Sequence, residues 1–146
     1  MHLLNRVFQF LTFYFLLLNS YMNVKLDTKE KFHVIKILDP SFYANMTDEL
    51  VKTFNDCMKS DVKNVILNLE QVTKMDKEAA LALCNLQQTS YENHHSMVIC
   101  CLSKDLEQWL DQEEILEVMN VTPTESEAMD IVQMEEIERE MFRDDP

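Results

Sequence analysis

The sequence predicts an α/β fold in which about four helices cover a mostly parallel or mixed central sheet of about four or five strands. Two observations carry this prediction. Short apolar runs alternate with stretches of helical periodicity, in the order strand, strand, helix, strand, helix, strand, helix, strand, helix. In addition, a chain of 146 residues is long enough for one domain with a substantial core.

Two strands and a helix are expected near the start of this domain. The strands lie at 23–26 and 32–38, and Pro40 ends the second one. Thr47 is expected to cap the helix, because its hydroxyl can accept a hydrogen bond from a free amide of the first turn. The apolar stripe of this helix consists of Leu50, Val51, Phe54 and Met58.

The segment 64–92 organises the chain. Its strand is a short apolar run formed by Val65, Ile66, Leu67 and Leu69, as expected for a strand that is covered on both faces. Asp76 is a suitable N-cap, so we expect a helix to begin at Lys77. The residues expected on the core side of that helix are Ala79, Ala80, Leu83, Cys84 and Leu86.

Two more strands are expected at 97–102 and 118–121, with a helix between them. Ser103 is expected to cap that helix. Its inward side chains are Leu106, Trp109 and Leu110. Trp109 has the helical spacing of a core residue, and a ligand platform is the less favoured alternative.

The last helix is expected to follow a capping box formed by Thr124 and Glu127. Its apolar side consists of Ala128, Ile131, Val132, Met134 and Ile137. The chain is strongly acidic over 135–145, where we expect the helix to fray. We therefore assign 22–137 to the domain and 138–146 to an acidic C-terminal tail. A solvated face is the default interpretation of the acidic end, and a site for a basic partner is the alternative.

Residues 1–21 form an apolar N-terminal extension. The run 7–18 follows Arg6 and is too short to cross a bilayer, which takes about 20 residues. No small-x-small cleavage pattern follows it. Three explanations stay open: translation that starts at Met22, a membrane anchor, or a cleaved signal peptide.

Composition excludes several classes of protein. The net charge of −13 would repel nucleic acid and anionic membrane surfaces, so membrane contact is expected only through 7–18. The chain contains no glycine, which excludes the usual phosphate-binding loops. The four cysteines lie in apolar stretches without C-x-x-C spacing and are expected to be reduced. His94 and His95 are adjacent and lack partners at metal-ligand spacing, so no metal site is expected.

In the segment 65–76 an apolar strand is followed by Asn68, Leu69, a few polar residues and an aspartate that opens a helix. This pattern resembles the sulfate transporter and anti-sigma factor antagonist (STAS) family, in which Asp-Ser-Ser-Gly opens the helix. The likeness extends to 103–106 and to 124–132, and so covers about residues 23–135.

The resemblance implies a STAS-like fold and a regulatory role in protein–protein interaction. In bacterial members, an anti-sigma kinase phosphorylates the serine directly after the aspartate, and the state of that serine decides which partner is held. Here Lys77 occupies this position, Glu78 replaces the second serine and Ala79 replaces the glycine. Tyr43 lies about where the family often has an acidic residue. We therefore expect the phosphorylation switch to be absent.

The expected partner-binding residues are Tyr43, Asp76, Lys77, Glu78 and Leu81. Lys77, Leu81 and Asn85 are spaced by four and share a helical stripe, which predicts an exposed Leu81 that serves as an apolar anchor. Burial of Leu81 beneath a neighbouring helix is one alternative. A capped helix start with no role in binding is another. Glu78 would place a fixed negative charge near that of the family's phosphate, although Lys77 cancels much of it.

The favoured function is a cytoplasmic, non-enzymatic module of the anti-sigma factor antagonist type. Its expected partner is a regulatory protein such as an anti-sigma factor or a kinase-like protein. The alternative is a membrane-associated regulatory subunit of a transporter, anchored by 7–18. An enzyme would need a nucleophile with a base or a metal set, and the sequence shows neither, so we expect no catalytic residue and no cofactor.

Overall fold

The computed structural model describes residues 5–7, 9, 11 and 22–143. The strands are Val24–Thr28 (β1), His33–Ile37 (β2), Ser41–Phe42 (β3), Val65–Asn68 (β4), Lys74–Met75 (β5), Met97–Cys100 (β6) and Val121–Thr122 (β7). The helices are Thr47–Cys57 (α1), Lys77–Glu92 (α2), Lys104–Gln112 (α3) and Glu125–Arg143 (α4). Two 3₁₀ helices span Ala44–Met46 and Leu116–Val118. Most of the extension 1–21 lies outside the described residues. The three explanations for it depend on that part of the chain.

The main sheet has the strand order β1-β2-β4-β6-β7. β1 is antiparallel to β2, and every other neighbouring pair is parallel. The parallel pairs are joined by helical crossovers, as parallel strands require. The predicted mixed α/β fold is therefore confirmed.

Successive residues of a strand point to opposite faces of the sheet, and the two faces of this sheet are covered differently. On one face, side chains such as Ile35 and Leu67 pack under α1, α2 and α3. On the other face, α4 is the helix of the described residues under which Val34, Ile66 and Val98 pack. The chain is therefore a three-layer domain with one thick core and one thin core.

Three predicted helix caps are formed. The Asp76 carboxylate accepts from the Ala79 amide at 2.9 Å, and the Ser103 hydroxyl accepts from the Leu106 amide at 3.2 Å. The Thr124 hydroxyl accepts from the Glu127 amide at 3.2 Å, which is the Thr124 half of the predicted capping box. The starts of α2, α3 and α4 could therefore be located from single side chains.

The predicted cap of α1 is wrong. Thr47 is the first residue of α1, and its hydroxyl donates to the Ala44 carbonyl oxygen at 2.7 Å. The 3₁₀ helix Ala44–Met46 leads directly into α1 and takes the place of a side-chain cap.

The strand predicted at 118–121 is largely wrong as well. Val118 belongs to the 3₁₀ helix Leu116–Val118 and is exposed, while β7 is limited to Val121–Thr122. A valine-rich run near an acidic helix end satisfied the pattern of a strand, but only its last residue pairs with β6.

The last helix differs from its prediction in two ways. α4 stays helical to Arg143, so the start of the predicted acidic tail at 138 is helical rather than frayed. Ala128 and Val132 are buried as expected, but Met134 and Ile137 are exposed. These two side chains lie on the opposite side of the helix from the buried pair, since each residue turns the helix by about 100°.

Three described residues adopt positive φ without being glycine: His94 (64°), Cys101 (64°) and Glu114 (60°). They follow α2, β6 and α3, respectively. Glycine is the residue that adopts positive φ most readily, and this chain has none.

Candidate functional site

The two short strands β3 and β5 bring the predicted site together. They pair in parallel, with Ser41 opposite Lys74 and Phe42 opposite Met75. Because the strands run in the same direction with this register, the next residues, Tyr43 and Asp76, leave the pair side by side. Residues 33 positions apart in the sequence therefore meet at one turn.

Asp76 fixes this turn through both of its carboxylate oxygens. One oxygen accepts from the Ala79 amide at the start of α2, at 2.9 Å, and the other accepts from the Ala44 amide of the 3₁₀ helix, at 3.1 Å. One carboxylate therefore caps two helices that belong to different parts of the chain. A charge that accepts two backbone N–H groups is well satisfied, and it holds Tyr43, the residue before Ala44, in place.

The side chains around Asp76 point to solvent. Lys77, Glu78 and Asn85 are exposed, and Leu81 is 46% exposed. Tyr43 is 39% exposed. The prediction that Leu81 lies on an exposed stripe is confirmed, and burial beneath a neighbouring helix is ruled out. All five predicted site residues thus lie on or beside the first turns of α2.

This surface carries charged side chains of both signs. The Lys77 ammonium lies 3.9 Å from the Glu113 carboxylate, at the end of α3. Both groups are exposed, so the pair contributes little to stability. Glu78 lies in the first turn of α2, where the helix dipole favours a negative charge. Glu113 had not been predicted, because nothing in the sequence links a residue at the end of α3 to one at the start of α2.

Two hydroxyls close to the site are hydrogen-bonded within the structure. The Thr73 hydroxyl donates to the Pro40 carbonyl oxygen at 3.1 Å. The Ser103 hydroxyl donates to the Val72 carbonyl oxygen at 3.3 Å while it caps α3. Phosphorylation of either group would break a contact that positions the loop before Asp76. At the position where the resembling family has its phosphorylated serine, Lys77 has no hydroxyl.

Reactive groups are not assembled at this surface. Within the described part of the chain, no group of three or more His, Cys, Asp or Glu side chains is arranged to hold a metal ion. All four cysteines are free, and burial raises the pKa of the Cys57, Cys84 and Cys100 thiols. A raised pKa lowers the fraction of nucleophilic thiolate at neutral pH.

Two features that the sequence analysis considers lie outside this surface or outside the described residues. His94 and His95 follow the end of α2, at the opposite end of that helix from Asp76. Of the helices in the described ranges, none combines the length and the apolar character that a membrane crossing needs. Most of the apolar run 7–18 lies outside those ranges.

The chain is similar to known proteins in both sequence and fold. The sequence profile of the STAS domain matches residues 23–128. A putative anti-sigma factor antagonist from Thermotoga maritima superimposes with a TM-score of 0.63 and 14% identity, covering 75% of this chain and 94% of that chain. The anti-sigma factor antagonist SpoIIAA, in its unphosphorylated form, gives a TM-score of 0.60 and 16% identity, with 76% and 96% coverage.

A transporter-related structure has the same fold. The sulfate transporter family protein from Wolinella succinogenes superimposes with a TM-score of 0.61 and 17% identity, covering 75% of this chain and 90% of that chain. No curated protein sequence matches this chain. The structural matches therefore establish the fold, while the profile match establishes the family.

Proposed function

The chain belongs to the STAS domain family, and on that premise we propose that it is a non-enzymatic regulatory module that binds a partner protein through the turn at Asp76 and the start of α2. The proposed partner is an anti-sigma factor or a kinase-like regulatory protein in the cytoplasm of a bacterium, and the consequence of binding is regulation of transcription. Tyr43, Lys77, Glu78 and Leu81 are the proposed contact residues, and Asp76 positions them.

The observation that carries this proposal is the double cap made by Asp76. It fixes the backbone on both sides of the surface before any partner arrives, which reduces the entropy lost on binding. The exposed Leu81 and Tyr43 side chains then offer apolar contact area beside charged neighbours. An apolar anchor ringed by polar groups is the usual arrangement of an interface hot spot.

We also propose that binding by this module is not switched by phosphorylation of the helix start. Lys77 stands where the family has its phosphorylated serine, and Lys77 cannot accept a phosphoryl group. The hydroxyls of Thr73 and Ser103, close to this turn, already donate hydrogen bonds within the structure. The bound fraction of the module should therefore depend on the concentration of the partner and not on phosphorylation of the helix start.

The test uses the full chain and the regulatory protein that co-purifies with it from the native cell. We expect Leu81→Glu to weaken binding by about tenfold or more, because it places a charge in the centre of the interface. Its melting temperature should stay close to that of the wild type, since exposed substitutions usually change stability by about 0.5 kcal/mol or less. Isothermal titration and thermal melting measure the two effects.

The matched control is Thr89→Glu, which adds the same charge to an exposed position two turns further along α2. It should leave binding unchanged. Equal binding by Leu81→Glu and the wild type would remove this surface from the proposal. Adding ATP and the co-purifying kinase-like protein should not change the affinity, and phosphate on Thr73 that alters it would refute the absence of a switch.

A second function is favoured by one observation in the sequence, the apolar run 7–18. As an anchor, this run would make the protein a membrane-associated regulatory subunit of a transporter. Mass spectrometry of the native N-terminus separates the two functions. A protein that begins at Met22 supports the cytoplasmic module, and peptides from 7–18 in the membrane fraction support the subunit.

A further inference from the structure

The outward side of α4 carries an apolar stripe. Met134, Ile137 and Met141 follow each other at spacings of three and four, which places them on one side of the helix. They are 49%, 51% and 72% exposed, and the neighbouring Phe142 is 72% exposed. Ala128 and Val132, on the opposite side, are buried against the sheet. In the part of the chain that the structure describes, this helix therefore has two apolar sides, of which one packs on the sheet and the other is exposed.

A polar anchor prevents the stripe from turning inward. Arg139 lies on the sheet side of α4, where its guanidinium donates to the Ser96 hydroxyl at 3.0 Å and to the Asn64 side-chain oxygen at 3.3 Å. Ser96 and Asn64 are both buried. Rotating α4 to bury Ile137 would break these bonds and expose Val132. The apolar stripe is therefore a fixed outward surface of the folded domain.

Acidic side chains border this stripe. Glu138 lies on one side of it and Glu140 on the other, while Asp130 lies one turn before Met134. The helix surface has a shallow depression there, lined by Asp130, Gln133, Met134, Ile137 and Glu138. Met134, Ile137 and Met141 thus have the spacing of a coiled-coil seam, and Glu138 and Glu140 have the flanking positions that select a partner by charge.

We propose that this face of α4 binds a basic amphipathic helix of a partner protein. An apolar seam on that helix would cover Ile137, and its lysine or arginine side chains would pair with Glu138 and Glu140. A second copy of this chain would bring the same glutamates against each other, which opposes pairing. Residues 1–21 contain a single arginine and no lysine, so they match the acidic borders poorly. The net charge of −13 opposes an anionic membrane.

This surface is separate from the one proposed above. α2 and α4 pack on opposite faces of the sheet, so the two surfaces point in opposite directions. One chain can therefore hold two partners at the same time, and the second site does not depend on the identity of the first partner.

The test measures binding of synthetic peptides to the full chain by fluorescence anisotropy. The probe is a helix of about three heptads with leucine at the seam and lysine at the flanking positions. One control peptide has glutamate in place of lysine, and another has the composition of the probe in scrambled order. We expect the probe to bind, the glutamate peptide not to bind, and the scrambled peptide to bind about tenfold or more weakly, because it lacks a seam.

Variants of the chain locate the binding site. Ile137→Glu and, independently, Met141→Glu should each lower the affinity for the probe by about tenfold or more, because each places a charge in the seam. Val118→Glu is the matched control, since Val118 is an exposed apolar side chain outside α4. The double variant Glu138→Lys with Glu140→Lys should exchange the preference, so that the glutamate peptide binds and the probe does not.

Several results would overturn the proposal. Equal binding of the probe and the scrambled peptide would show attraction by net charge alone, and unchanged affinity in both Ile137→Glu and Met141→Glu would place the site elsewhere. A dimer in sedimentation that Ile137→Glu dissociates would assign the face to a second copy. Binding to anionic vesicles that Ile137→Glu abolishes would assign it to a membrane.

Discussion

The two faces of the sheet hold their helices by different means. Among the described residues, the core under α1, α2 and α3 contains twenty buried side chains, whereas the core under α4 contains six. The turn at Asp76 is thus supported by a thick core, and a carboxylate fixes its direction. α4 has little apolar support, and the Arg139 guanidinium ties its second half to the sheet. The helix over the thin core is thus fixed by a polar side chain that reaches the sheet, whereas the helix start over the thick core is fixed by its cap.

The largest effect is expected at Asp76. Asp76→Ala removes the N-cap of α2 and leaves the Ala44 amide without its acceptor, which together should lower the free energy of unfolding by about 2–4 kcal/mol. Asp76→Asn keeps one side-chain oxygen and can replace only one of the two bonds, so we expect roughly half of that loss. Urea unfolding measures both variants.

The amide resonances of Ala44 and Ala79 show which bond is lost. Both should shift in Asp76→Ala, and one should keep its position in Asp76→Asn. A stability of Asp76→Ala within about 0.5 kcal/mol of the wild type would mean that the core alone positions the turn. In that case the Asp76 carboxylate would not be what fixes the turn above the thick core.

An intermediate effect is expected at Arg139. Arg139→Ala removes two hydrogen bonds from a partly exposed charge and leaves the Ser96 hydroxyl without this donor, so we expect a loss of about 1 kcal/mol in global stability. The local effect should be larger in proportion, because no apolar side chain of the described residues 135–143 is buried. Hydrogen exchange of the amides at 135–143 should become faster while that of α2 stays unchanged.

Arg143→Ala is the control for this prediction, since Arg143 is exposed in the last turn of α4. It should change neither global stability nor exchange in the rest of α4. If exchange over 135–143 were as slow in Arg139→Ala as in the wild type, the anchor would be unnecessary. The thin layer would then be held by Ala128 and Val132.

The smallest effect concerns pH and involves the neighbourhood of the same anchor. Burial lowers the pKa of His95 below its ordinary value, and the nearby charges of Lys63 and Arg139 lower it further, against an opposing backbone hydrogen bond. The folded state therefore binds fewer protons than the unfolded state. The resulting stability is present above the unfolded pKa of about 6.5 and is lost as the pH falls towards the lower folded value.

His95→Asn removes this contribution. The stability of the wild type relative to the variant should therefore decrease as the pH is lowered through about 6.5, as measured by urea unfolding at a series of pH values. Because Arg139 contributes to the shift, the trend should be weaker in an Arg139→Ala background, and an unchanged trend would contradict that link.

Much of the fold could be predicted because its signals are local. Asp76, Ser103 and Thr124 each lie three residues before the amide that they cap, so the starts of three helices were available from single positions. The strand Val65–Asn68 was equally predictable, because its first three residues form a continuous apolar run. All four of its side chains are buried. The cap of α1 was predicted wrongly because it depends on the 3₁₀ helix that Asp76 holds, and this bond joins residues 32 positions apart.

The candidate site was predicted only in part, for the same reason. The exposed stripe with Leu81 follows from helical spacing, and it was found. The pairing of β3 with β5 was not found, because strands of two residues have no pattern of their own. In α4, the spacing showed that apolar residues were regular but not which of two stripes faces the sheet. Met134 and Ile137 were therefore assigned to the covered side with Ala128.

The residues with positive φ show what the absence of glycine costs the folded state and what it gains through the denatured state. At His94, Cys101 and Glu114, the left-handed backbone costs the native state roughly 1–2 kcal/mol per residue, less for histidine. A glycine would avoid that cost but would give the denatured chain more conformations, which is worth roughly 0.4–1 kcal/mol in the opposite direction. The second quantity therefore offsets roughly half of the first at each of these positions. Without glycine, the denatured chain has fewer conformations, which stabilises the folded state. Backbone strain at the three residues with positive φ offsets part of this stabilisation.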